Sequence, residues 1–206
     1  MTRRLSRRAL CGAAASLAGC SVLPERPYQE RREWPLEVRR PTTAIAGPNA
    51  PVLLLRAVRA GPGLDTRGLR TRQPTGAERI DNWEEWAVPP PQGVEDCLRQ
   101  WLAACGLFRA VVMPGSQVTT DLVLESELVA FVGDQPAGVA RAGLSIVLLR
   151  ATGNGRYAPL LQRTLTGEAR LTGTDGPALA ASLQAALATL LAATETALAP
   201  WAARPA

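Results

Sequence analysis

Two carboxylate pairs are the side chains whose spacing could move protons: Glu84 with Glu85, adjacent in the chain, and Glu125 with Glu127, at i and i+2 on one face of a strand. General acid–base catalysis needs two carboxyl groups held in unlike environments. The flanking residues supply no such contrast, so the first pair reads as solvated and the second as part of a wet sheet face. The chain contains no histidine and no lysine. That removes Ser-His-Asp and Cys-His triads, histidine-ligated zinc, Schiff-base lysines and the phosphate-binding lysine of a P-loop. Gly61-Pro62-Gly63 and Gly153-Asn154-Gly155 lack the strand-loop-helix context of a phosphate cradle and read as turns. The expectation is no catalytic residue, no metal site and no cofactor.

A different chemistry is written near the start. Arg3, Arg4, Arg7 and Arg8 precede an apolar run from Ala9 to Gly19. Its length suits a signal segment, whereas a membrane-spanning helix needs about 20 apolar residues. The run ends in Leu17-Ala18-Gly19-Cys20, which resembles a bacterial lipobox: small residues admit a signal peptidase, and the Cys20 thiol accepts a diacylglyceryl group. Residues 1–19 are therefore expected to form a lipoprotein signal peptide, with Cys20 as the lipid attachment site. Ser6-Arg7-Arg8-Ala9-Leu10 also resembles a twin-arginine signal, which leaves the Sec and twin-arginine routes both open.

Removing the signal changes two readings. The formal charge falls from +5 to +1 when these four arginines leave, so no basic surplus remains for nucleic acid. Of the four cysteines, Cys11 leaves and Cys20 is acylated. Cys97 and Cys105 fall on one helix about 12 Å apart. A disulfide needs Cα atoms within about 7 Å, so the expectation is two small buried thiols.

The elements follow from periodicity. Residues 20–50 carry Pro24, Pro27, Pro35, Pro41 and Pro48 among dense charges and read as a lipidated N-terminus and tether. Such a tether spans at most about 100 Å when extended. Trp34 and Leu36 hint that part of it packs. Residues 51–202 then form one domain. A strand from Pro51 to Ala60 is followed by a hairpin of 68–72 and 78–82 around Pro74-Thr75-Gly76. Trp83, Trp86 and Pro89-Pro90-Pro91 crowd the start of a helix from about Pro91 to Cys105, which Gly106 caps. Phe108–Met113 is a short strand.

Three alternating strands come next, and Asp121–Val132 puts Leu122, Leu124, Leu128, Ala130 and Val132 on one face. The final helix, capped by Thr174 or Asp175, aligns Leu179, Leu183, Leu187, Leu190, Leu191 and Leu198, and is expected to stop before Pro200. The fold class is α/β: a mixed, mainly antiparallel sheet with two principal helices packed on it. Trp83 and Trp86 either lock the helix start or serve as contacts for a partner.

Several of these features together resemble the ABC-type transport auxiliary lipoproteins that work beside MCE-domain transport systems. They are the lipobox at Cys20, Gly-Pro-Gly-Leu-Asp at 61–65, and Trp86-Ala87-Val88-Pro89-Pro90 within the block Ile80 to Pro90. Leu98, Leu102, Gly106, Phe108, Asp121-Leu122-Val123-Leu124 and a last helix ending near Trp201 continue the likeness. The resemblance implies an anticodon-binding-like fold and a non-enzymatic protein. Its implied partners are an MCE-domain protein with its ABC permease and ATPase, and a membrane reached through the lipid anchor; a homo-oligomer stays open. Ser21 after the cysteine fits the periplasmic side of the outer membrane. The runner-up is a lipoprotein that itself carries a lipid.

Overall fold

The computed structural model describes residues 28–152 and 155–203. The signal segment, Cys20 and the first two residues of the Gly153-Asn154-Gly155 turn lie outside them. Among the described residues eight strands and two helices follow one another: β1 (Arg32–Trp34), β2 (Val52–Ala60), β3 (Gly68–Arg72), β4 (Glu78–Trp86), α1 (Pro90–Ala104), β5 (Ala110–Val112), β6 (Leu122–Asp134), β7 (Val139–Ala151), β8 (Tyr157–Arg170) and α2 (Gly176–Ala202).

β6 is the hub of the sheet. Along one side it pairs antiparallel with β7, which pairs antiparallel with β8. Its other side is shared, because β2 runs parallel to its first half and β3 to its last two residues. The sheet therefore forks: β5 extends the β2 branch, while β4 and then β1 extend the β3 branch. The result is a mixed sheet in which the long ladders are antiparallel, and two helices pack on it, as the α/β expectation had it.

Period-two burial drives the meander. Ala142, Leu144, Ile146 and Leu148 of β7 are fully buried beneath the leucine stripe of α2, where Leu183, Leu187, Leu190 and Leu191 are also fully buried. In β6 the alternation breaks. A bulge between Leu128 and Ala130 places Val129 in solvent and shifts the phase, so Phe131 rather than Ala130 enters the core. A bulge inserts one unpaired residue and inverts the parity of everything after it. A second bulge in β2 leaves the Val58 N–H without a ladder partner; Glu95 of α1 reaches over to accept it at 2.9 Å.

Two boundaries differ from expectation. The compact unit begins at Arg31, not at residue 51. Beyond β1, Leu36 and Val38 are buried while Pro35, Glu37 and Arg39 point out, and Ala44 N–H donates to Ala104 O at 2.9 Å, the last carbonyl of α1. This strap runs over α1 where Gly93 leaves room for it; a Cβ there would sit 2.7 Å from Leu36 Cδ2. The other difference is that α2 continues through Pro200 to Ala202. A proline in the last turn forfeits one backbone bond, and Trp201 beyond it packs on the core.

Candidate functional site

Glu84 and Glu85 are not a solvated pair. Between Gly68 and Arg70 of β3, β4 advances from Glu85 to Ile80, so Asp81–Glu84 form a wide bulge. The Asp81 carboxylate holds its shape, accepting Trp83 N–H at 2.9 Å and Glu84 N–H at 3.1 Å. Gly68 is required opposite it: a Cβ would lie 2.5 Å from Ile80 Cγ2 and closer to the Asp81 carbonyl. The bulge turns Glu84 inward, where it accepts the Trp34 indole N–H at 2.7 Å and pairs with Arg32 at 3.5 Å, packed against Gly176 at the start of α2. Glu85 lies 3.0 Å from Arg67 and 3.6 Å from Arg31. These are ion-pair contacts, since its Oε1 receives no aligned hydrogen bond. Together the two carboxylates clamp β1 and Arg67, just before the start of β3, to β4.

The second pair sits on the outer sheet face, as expected, but each carboxylate is matched by an arginine of β2: Arg56 to Glu125 at 2.6 Å and Arg59 to Glu127 at 3.3 Å. Arg56 also lies over the Tyr157 ring, 5.7 Å from its centroid. Further along, Arg141 bridges to Glu168 at 2.8 Å, and Asp134 lies 3.3 Å from Arg72 and 3.5 Å from Arg141. The arrangement is a polar, charge-matched plate.

The two tryptophans part company. Trp86 is 1% exposed, its ring 5.4 Å from that of Phe131, so it offers nothing to a partner and belongs to the core. Trp83, three residues earlier on the bulge, is 45% exposed. Of the expected partner contacts, only Trp83 is accessible. Cys20 lies outside the described residues. Among the described residues, no group of three or more cysteine, aspartate or glutamate side chains could hold a metal ion.

A family model described as the ABC-type transport auxiliary lipoprotein component matches residues 35–194. The chain belongs to this family. The same fold occurs in protein XCC0632 from Xanthomonas campestris, of the DUF330 family, at 24% identity and a TM-score of 0.65 over 82% of this chain and 93% of that one. An uncharacterized protein of solved structure resembles it at 17% identity and a TM-score of 0.55, covering 76% and 95% of the two chains. Among curated proteins none matches.

In this auxiliary lipoprotein the strap adds a polar clamp that sequence patterning does not reveal. Arg40 donates to Glu195 of α2 at 3.0 and 3.1 Å, and Trp101 of α1 donates to the same carboxylate at 2.8 Å. Gln184 of α2 donates to Pro35 O at 3.3 Å. Beside the strap a groove of about 280 Å³ is lined by Leu36, Val38, Ala87, Asp96, Cys97 and Gln100 among others. Cys97 accepts the Val38 N–H at 3.3 Å, and burial raises the pKa of both Cys97 and Cys105. A thiol held protonated reacts slowly. Iodoacetamide is therefore expected to spare both cysteines in the folded chain and to alkylate both in denaturant; mass spectrometry of each form checks this.

Proposed function

We propose that this chain is a non-enzymatic, membrane-anchored lipoprotein component of an ABC/MCE-type system that moves lipids or other hydrophobic compounds between membranes. The family match across residues 35–194 carries the reading. An auxiliary subunit needs binding surfaces and a fixed position rather than a reactive centre. The described residues agree with that demand: both carboxylate pairs are tied to arginines, and no histidine or lysine is present to replace them.

The anchor is the acylated Cys20, on the periplasmic side of the outer membrane. Each buried CH₂ contributes about 0.8 kcal/mol, so two or more acyl chains hold a protein stably where one would not. The partners are an MCE-domain protein with its permease and ATPase, and the charge-matched outer sheet face is the broad plate available to them. The carrier reading is weaker, because fully buried leucines of the sheet and of α2 occupy the space between them that a bound lipid would need.

Cys20→Ala is expected to abolish palmitate labelling and release the protein from the outer-membrane fraction while the domain stays folded. Labelling that persisted would remove the anchor. Co-purification of the unmodified protein tests the rest: a stable complex with an MCE protein and no bound lipid is expected, and stoichiometric lipid with no complex would reverse the order of the two readings.

A further inference from the structure

We infer that the edge formed by β1 and the bulge of β4 rests on the membrane that holds the anchor, with Trp83 entering the headgroup layer and the surrounding arginines facing anionic lipid. The inference rests on acylation at Cys20.

The first argument is reach. Because the compact unit starts at Arg31, only eleven Cα–Cα steps separate it from Cys20. They span at most about 40 Å whatever their conformation. A unit of this size has a radius of gyration of about 16 Å, so it stays within about its own width of the lipid. Its point of attachment is the edge in question. In the parallel register Arg32 lies opposite Glu84, which puts Arg31 level with Trp83. β1 covers only Glu84–Trp86, leaving Glu78–Trp83 as the open rim.

The second argument is how charge is layered there. In three ion pairs of this rim, Arg31–Glu85, Arg32–Glu84 and Arg79–Asp81, the arginine side chains are 59, 60 and 64% exposed while their acids are 12, 20 and 22% exposed. These pairs are neutral in sum, and in all three the group a partner meets first is guanidinium; in Arg67–Glu33 on the same edge the acid is the more exposed, 53% against 35%. Arginine groups at a surface attract the negative potential of anionic lipids.

The third is what surrounds the indole. Trp83 and Ile80 are the large exposed apolar side chains here, and their neighbours Glu78, Arg79, Asp81 and Asn82 are polar. A lone tryptophan amid arginines is the composition found at the membrane–water boundary.

The test uses the mature acylated protein in phosphatidylethanolamine/phosphatidylglycerol vesicles containing lipid brominated near the headgroup. Sedimentation reports anchoring, and fluorescence reports Trp83. Quenching equivalent to one of the five tryptophans is expected. It should vanish in Trp83→Phe with the thermal melt unchanged, and fall at least about twofold when phosphatidylcholine replaces the anionic lipid. If the protein sediments but Trp83→Phe is quenched as much as the unmodified chain, the inference fails and the anchor stands. If it does not sediment, both fail. If Trp83→Phe leaves quenching unchanged and loses co-purified transport proteins, Trp83 is a protein contact and the inference is overturned.

Discussion

Gly167→Ala is expected to lower the stability of the domain by about 3 kcal/mol or more, at the upper end of what overpacking costs. α2 crosses β8 at this residue. A Cβ there would lie 2.8 Å from Leu190 Cα and closer still to Ala186 O and Leu190 N. These are helix backbone atoms, which cannot step aside as the end of a side chain can. Relief requires lifting α2 from the sheet, and α2 buries the leucine stripe that seals the core. Elsewhere a glycine-to-alanine change gains about 0.4–1 kcal/mol by restricting the unfolded chain, so a net loss isolates the clash. Gly138→Ala is the comparison: its φ of 67° strains an alanine, but no atom lies within 4 Å of the added methyl. It should cost about 1–2 kcal/mol. Urea midpoints of the two variants separate the causes. A Gly167→Ala midpoint equal to that of the unmodified chain would mean that α2 does not lie on β8 as described.

The elements that were legible in the sequence are those whose information is local. The meander and the leucine stripe of α2 repeat their periods over a dozen residues or more, and the Pro74-Thr75-Gly76 hairpin carries its own turn chemistry. β1 is the opposite case. Three residues, Arg32-Glu33-Trp34, are too few to show a period, and their partners lie about fifty positions away at Glu84-Glu85-Trp86. The proline-rich segment after β1 looked like tether because its buried residues, Leu36 and Val38, are only two. Bulges were hidden for a different reason: a residue added to a strand reads as a lapse in alternation, and the side of the lapse that faces the core is decided by the neighbouring strand. The same difficulty governed the candidate site. Trp83 and Trp86 lie in one stretch and have the same chemistry, and only the bulge at Asp81–Glu84 exposes one and buries the other.

Glu195→Ala is expected to cost about 2 kcal/mol near pH 7, as for hydrogen bonds to a charged group, and to free the strap. Glu195 joins three pieces of chain: it accepts from Arg40 on the strap and from Trp101 on α1, and itself belongs to α2. Burial raises its pKa, but the bonds from Arg40 and Trp101 and the charge of Arg40 outweigh burial, and the net shift is downward. Glu78 shifts the same way, chiefly through its bond from Arg70. A carboxyl whose folded pKa lies below its unfolded one contributes stability above the unfolded value, about 4.3, and loses it as pH falls through the folded value. The gap between the unmodified chain and Glu195→Ala should therefore be full at pH 7 and shrink below about pH 4. Arg40→Ala should reproduce most of it, and the double variant should cost less than the sum because both remove one contact. Urea midpoints at the two pH values measure this, and an unchanged gap would disconnect the clamp from the carboxylate. Limited proteolysis supplies the structural reading. With the clamp gone, cleavage should appear between Pro35 and Ala44. β1 stays held to β4 by Glu84 and Glu85, so the segment from Cys20 keeps its length and the Trp83 quenching should be unchanged in the same variant. Proteolysis confined to the N-terminal side of Arg31 in both chains would show that Leu36 and Val38 hold the strap without Glu195.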